Sequence, residues 1–285
     1  MLQVQTTDKL RNAVGEFRHR GQSIGFVPTM GNLHEGHLAL VRYAKEVADT
    51  VIVSIFVNPL QFDQADDLQA YPKTLEEDVR LLKALDVDVL FIPEVSDIYP
   101  NDILTVVRVE VPGISERLEG ASRAGHFTGV ATVVAKLFNL VQPDIAVFGE
   151  KDYQQLGVIH KMVKELNFPI EVLSIPTVRE SSGLAMSSRN NYLSEEQRSQ
   201  AAGLSQILNQ LADSIRSGER NYRKLEDNGS EMLLKSGFKP DYLEVCQSKT
   251  LLPASDADDS LVILVAAWLG PARLIDNICL SAAHN

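Results

Sequence analysis

Short apolar runs alternate with helix-patterned segments over the first half of this chain. That alternation restricts the fold more than any other feature. The runs Ser23–Val27, Val51–Val57, Val87–Ile92, Ile145–Phe148 and Ile170–Ile175 lack strict apolar–polar alternation, as expected of parallel strands covered on both faces. Between them lie the helical patterns Leu38–Val47, Leu75–Leu85, Val130–Leu140 and Tyr153–Leu166, and Thr6 or Thr7 can cap an opening helix before Gly21. The pattern predicts an α/β fold with a doubly wound parallel sheet. Thr105–Val111 alternates more cleanly and reads as an edge strand or hairpin arm. Asp63–Tyr71 is polar and acidic and reads as a loop, either a lid or a solvated connection.

After about Pro176 the pattern changes. Ser194-Glu195-Glu196-Gln197 is a capping-box signature and predicts a helix to about Ser217. A second helix is expected over Tyr222–Ser236, then three strand-like runs, Tyr242–Cys246, Leu261–Ala267 and Arg273–Ile278. Helices followed by consecutive strands indicate a small α+β domain. At 285 residues the chain can bury two cores, and the division falls at 1–176 and 177–285.

In a doubly wound sheet, ligands bind beyond the carboxyl ends of the strands. Three polar clusters fall there. Met30-Gly31-Asn32-Leu33-His34-Glu35-Gly36-His37 follows the first run, Asn58-Pro59-Leu60-Gln61 the second, and Gly149-Glu150-Lys151-Asp152 a later one. His34 and His37 are three apart, on one side of a helical turn, where a strand hands over to a helix whose first N–H groups favour an anion. On the residues alone, phosphate contact and a structural role both stand. Lys151 would bring a full charge to a phosphate, or sit solvated. Asp152 and Gln155 share a helix face. Ser187, Ser188 and Arg189 could wrap phosphate oxygens, or merely connect domains. Asn58 and Gln61 could read a hydroxyl or carboxylate, or serve as turn residues around Pro59. Arg123 and His126 could donate to an anion, or cap the helix that follows.

Several classes are excluded. With 27 basic against 38 acidic side chains, a net of −11, the chain is a poor partner for nucleic acid or an anionic membrane. No apolar stretch is long enough to span a bilayer. The opening residues lack the basic leader and long apolar centre of a signal peptide. Cys246 and Cys279 read as reduced thiols of a cytosolic protein. The zinc-protease spacing of histidines at i and i+4 fails, and neither a Walker A loop, a dinucleotide fingerprint nor a serine nucleophile elbow is present.

The segment His34-Glu35-Gly36-His37, with Met186-Ser187-Ser188-Arg189 as a second phosphate-binding loop, resembles the signatures of the nucleotidyltransferase superfamily. More narrowly, Val27–His34, Val53–Pro59, Leu118–Arg123, Val141–Asp144, Phe148–Asp152, Ser187–Asn190 and Ala266–Gly270 resemble the pantoate–β-alanine ligase family over nearly the whole chain. The resemblance implies a Rossmann-like first domain that binds ATP and pantoate, and a small lid domain that closes over ATP. It implies that ATP and pantoate give a pantoyl-adenylate, from which β-alanine displaces AMP. It implies Mg²⁺ with ATP, and a cytoplasmic homodimer. On the family pattern, Met30 to His37, Gly149 to Asp152, Val178 and Met186, Ser187, Ser188 and Arg189 form the ATP site. His34, His37, Lys151 and Arg189 act on the phosphates. Gln61 and Gln155 hold pantoate, and Gln61 lies near β-alanine. Mg²⁺ takes few carboxylates and several phosphate oxygens, and Asp78 is the candidate ligand. The rivals are another nucleotidyltransferase of this type, or a nucleotide-binding module without turnover. Neutral Gln61 and Gln155 favour a small carboxylate acceptor over a phosphorylated one.

Overall fold

A computed structural model describes residues 1–62, 68, 71, 72 and 74–281. Most of the expected loop Asp63–Tyr71 lies outside the described residues. The chain divides into two compact units, Met1–Glu150 with Val158–Pro176, and Lys151–Gly157 with Thr177–Asn285.

The first unit holds six parallel strands, β1 (Leu2–Val4), β2 (Ile24–Thr29), β3 (Thr50–Ile55), β4 (Val89–Phe91), β5 (Ile145–Gly149) and β6 (Glu171–Ile175), in the order β1-β4-β3-β2-β5-β6. Its helices are α1 (Thr7–His19), α2 (Glu35–Val47), α3 (Leu75–Ala84) and α4 (His126–Val141). α5 (Tyr153–Glu165) begins in the second unit and ends in the first. Thr6 caps α1, its hydroxyl accepting the Lys9 N–H.

Strand periodicity of two explains why the runs do not alternate. Val27, Val51, Val53, Ile55, Leu90 and Val147 share one core with Leu40, Val41 and Ala44 of α2 and Leu82 of α3. Phe26 and Phe148, one residue out of step, instead meet Phe138 of α4 edge-on, each at 6.4 Å between ring centres. Both faces are therefore covered by helices.

One expectation for this unit fails. Thr105–Val111 forms no strand: Val109 donates its N–H to Thr132 Oγ1, and Leu104 and Val107 are exposed. Alternation alone cannot make a strand without a ladder partner, and the sheet edges are already taken by β1 and β6. The strand that does complete the sheet, β1, has three residues, too few to show a period.

In the second unit β7 (Lys239–Gln247), β8 (Ser260–Leu269) and β9 (Ala272–Ser281) form an antiparallel sheet with β8 central. Three helices precede it, α6 (Glu195–Ala201), α7 (Gly203–Arg216) and α8 (Tyr222–Lys235). Leu204, Ile207, Leu208, Leu211 and Ile215 recur at helical spacing along one stripe of α7 and join Val245, Ile263, Val265 and Leu274 in a single core. The capping box forms as expected, Ser194 and Gln197 exchanging side chain and backbone. The helix expected to run on to Ser217 is instead two. They join at Gly203, the weakest helix former of that stretch.

Candidate functional site

The sheet changes direction between β2 and β5, since strands are added outward as β2, β3, β4 on one side and as β5, β6 on the other. Such a switch point is where an open α/β sheet binds its ligand. Met30–His37 is the segment that leaves β2 at this point.

Its backbone is shaped by one carboxylate. Gly31 and Asn32 both take left-handed conformations, with φ of 83° and 53°, which Gly and Asn tolerate best. Gly31 also leaves no room for a side chain: a Cβ there would come within 3.0 Å of Asp78 Oδ2 and 3.1 Å of Ile55. Asp78, on α3 and buried, accepts the Asn32 N–H at 2.9 Å and the Leu33 N–H at 2.8 Å, with the Thr74 hydroxyl at 3.2 Å. These bonds commit both its oxygens to the loop. Asp78 thus acts as a loop anchor, and among the described residues no group of three or more His, Cys, Asp or Glu could hold a metal ion.

α2 begins at Glu35, three residues earlier than its apolar pattern suggests, so His34 is its cap and His37 lies in its first turn. His34 Nδ1 accepts the Gly36 N–H at 3.2 Å, and His37 Nδ1 accepts the His34 N–H at 3.3 Å. The pair forms a capping box in which imidazoles replace the usual hydroxyl and carboxyl. A ring nitrogen accepts only when it carries no proton, so each neutral ring bears its proton on Nε2. The ring centres are 4.1 Å apart. Capping thus sets two neutral N–H donors beside the positive end of a helix dipole. Glu35 is exposed and pairs with Arg42 at 2.6 Å.

Beyond β3, Asn58 is buried and serves as a hub. Its Oδ1 accepts the Tyr99 hydroxyl at 2.8 Å, and its Nδ2 donates to Gly129 O at 3.1 Å and to Gln61 Oε1 at 3.0 Å. Burial holds the Tyr99 hydroxyl above the usual tyrosine range, keeping it a donor. Gln61 Nε2 in turn donates to Met30 Sδ at 3.2 Å, a weak acceptor that a carbonyl or carboxylate would readily replace. The Gln61 carbonyl accepts from His126 Nδ1 at 2.8 Å and from Arg123 Nη2 at 3.3 Å. His126 therefore carries its proton on Nδ1, opposite to His34 and His37. Arg123 and His126 hold the Gln61 turn, a role that the helix-capping and anion readings of these residues both missed. Gly129 is forced by the same turn, because a Cβ would fall 2.3 Å from Leu60 O. Tyr99 gave no sequence signal, since a tyrosine after an apolar run reads as core.

β5 ends at Gly149, and Ser174 donates to Glu150 Oε1 at 2.9 Å. In the second unit Lys151, Ser187, Arg189, Asn190 and Asp276 line one small cavity. The sequence separates Lys151 widely from Ser187 and Arg189, and the fold brings them together. Lys151 lies 3.9 Å from Asp152 Oδ1, and Gln155 is half-buried. Val178 and Met186 are joined by a hydrogen bond from Met186 N–H to Val178 O, closing a small hairpin in which Arg179 pairs with Ala185. Ser187 Oγ accepts the Arg189 N–H, opening the turn that holds Ser188. Asn190, which sequence reasoning placed in the motif but gave no role, is buried and donates to Ala185 O and Glu180 Oε1. The Arg198 guanidinium, followed by that Asn190 amide, holds the Glu180 carboxyl below its usual range.

The family model for pantoate–β-alanine ligase matches residues 2–279. The chain belongs to the pantoate–β-alanine ligase family. It is 55% identical over 278 residues to a pantothenate synthetase of Alkalilimnicola ehrlichii, covering 98% of this chain and 97% of that one. It matches the crystal structure of pantothenate synthetase from Thermus thermophilus at 47% identity and a TM-score of 0.91, over 98% of this chain and 99% of the other. A pantoate–β-alanine ligase from Francisella tularensis, complexed with β,γ-ATP and β-alanine, matches at 38% identity and a TM-score of 0.82, over 98% and 97%. The parallel six-stranded sheet with a small antiparallel three-stranded unit is the fold expected of a ligase of this family. No helix among the described residues of this ligase is long and apolar enough to cross a membrane.

Proposed function

We propose that this chain condenses pantoate with β-alanine to give pantothenate, using ATP with Mg²⁺ and passing through a pantoyl-adenylate. The observation that carries the reading is the doubled imidazole cap of α2 at the switch point of the sheet. It supplies Nε2–H donors, at the positive end of a helix dipole, to a phosphate without a general base. None is needed in the first step, since a carboxylic acid titrates near ~4 and is already ionised. Adenylation then asks for charge stabilisation and positioning at the α-phosphate and the departing pyrophosphate. His34 and His37 supply donors, Lys151, Ser187, Ser188 and Arg189 supply charge and hydroxyls, and Met30–Leu33, Gly149–Asp152, Val178 and Met186 complete the ATP site. Gln61, its amide set by Asn58, would donate to pantoate with Gln155, and would lie near β-alanine. Mg²⁺ keeps mostly phosphate and water ligands, which fits a site offering no preformed carboxylate cage among the described residues.

We further take residues 1–176 as the ATP- and pantoate-binding domain and 177–285 as the lid, and the enzyme as a cytoplasmic homodimer that binds no nucleic acid. The exposed Leu104 and Val107 support a self-association surface, and the mass in solution tests it: a monomer at micromolar concentration would end that part of the reading. The activity is tested by pantoate-dependent exchange of pyrophosphate into ATP, followed by AMP release when β-alanine is added. Absence of exchange would overturn the function, and exchange without amide formation would restrict it to the first half-reaction.

A further inference from the structure

Two consecutive residues of β9 tie the separate phosphate-facing segments of the second unit together. Asp276 and Asn277 are both buried, 3% and 6% exposed. Asn277 Nδ2 donates to the Lys151 carbonyl at 2.9 Å. Asp276 takes a bidentate pair from Arg179, at 2.7 and 2.9 Å, and its Oδ1 also accepts the Asn277 N–H at 2.8 Å. Arg179 in turn donates to Gly183 O at 3.1 Å and stands in the hairpin that closes on Met186. Hydrogen bonds thus run from the Lys151 backbone through Asn277 and Asp276 to Arg179, whose neighbour Val178 accepts the Met186 N–H at the start of Met186–Arg189. Asp276 and the side chains at both ends of this network, Lys151, Ser187 and Arg189, line the same cavity.

Burying a carboxylate in a small sheet is costly, and apolar residues would commonly stabilise such a position as well or better. What the buried pair uniquely provides is a fixed distance. We propose that Asn277, Asp276 and Arg179 are positioning residues for adenylation, holding Lys151 and the Met186–Arg189 loop in one register toward the nucleotide phosphates. This rests on the roles proposed above for Lys151 and that loop. A displacement near an ångström is enough to lose up to about a hundredfold in rate, so the network matters without touching substrate.

The test is pantoate-dependent pyrophosphate exchange by Asn277→Asp, which keeps the shape but turns an acceptor toward the Lys151 carbonyl, and by Arg179→Lys and Arg179→Met. Expected for Asn277→Asp is a loss of about tenfold or more in kcat/KM for ATP, with KM for pantoate within twofold; the carboxylate added beside buried Asp276 also lowers the melting temperature, so exchange is read well below it. Arg179→Lys, which keeps the charge but not the fork, should fall between wild type and Arg179→Met. On a Lys151→Ala background Asn277→Asp should add little further loss. Normal exchange by a folded Asn277→Asp, or losses that simply add to those of Lys151→Ala, would overturn the positioning role. If instead Lys151→Ala itself exchanges normally, the site assignment beneath it is what fails. Should Arg179→Met not fold, the Asn277→Asp and Arg179→Lys results decide alone.

Discussion

The two groups of residues proposed to meet ATP are held by opposite means. In the first unit the Met30–His37 segment is set through its own backbone: two N–H groups held by Asp78, which is distant in sequence, and two imidazoles capping their own helix. In the second unit, Lys151 and Arg189 are long cationic side chains. The segments that carry them are fixed from a distance, by Asp276 paired with Arg179 and Glu180 paired with Arg198. Local capping gives rigid neutral donors at small entropic cost and little sensitivity to salt. Paired long side chains bring full charge but depend on their partners and on ionisation.

The contrast is broken most sharply at the imidazoles. His34→Asn keeps a good N-cap while removing the Nε2–H, and His37→Ala removes the second donor. Each should lower pyrophosphate exchange by about 10²- to 10³-fold, and His34→Asn should melt near wild type. Normal exchange by His34→Asn would leave that histidine a cap and nothing more.

Asp78→Ala comes next. It removes the acceptor of the half-buried Asn32 and Leu33 N–H groups, at about 2–4 kcal/mol of stability by denaturant titration. It should also lower exchange by loosening the loop. Were Asp78 a metal ligand instead, Asp78→Ala would keep its stability and excess Mg²⁺ would restore its rate.

Much of this contrast could be read in the sequence, and the unreadable part has a physical cause. β2, β3, β4 and β5 were legible because burial on both faces writes itself as an apolar run. Met30–His37 was legible because a strand end, a Gly-Asn pair and two histidines coincide. Asp78 was not, since the two N–H groups it accepts lie far away in the chain and nothing local distinguishes it from the acidic first turn of α3. Tyr99, Asp276 and Asn277 were silent for the same reason: each acts through a partner distant in sequence. Thr105–Val111 erred the other way, showing a strand period with no ladder to join.

Arg189→Ala probes the charged side of the comparison and should raise KM for ATP by about tenfold through loss of a bidentate phosphate contact, with pantoate binding unaffected in the same exchange assay. An unchanged KM for ATP would remove Arg189 from the site.

The smallest effect tests whether that side depends on ionisation. Arg198 holds the Glu180 carboxyl below its usual range, so the pair contributes fully above the ordinary carboxyl value near ~4.3 and is lost as the pH falls through the lower folded-state value. The Arg198 side chain is half exposed while Glu180 is 17% exposed, which limits the contribution to about 1 kcal/mol. Glu180→Gln should therefore melt about 2 °C below wild type at pH 7. The gap should close as the pH is taken below about 4, and should narrow with added salt at pH 7. A gap that stays constant from neutral to acid pH would mean that the Asn190 and Ala185 bonds, which do not titrate, hold this loop without the ion pair. The second unit would then be built like the first, from hydrogen bonds to the loop's own backbone.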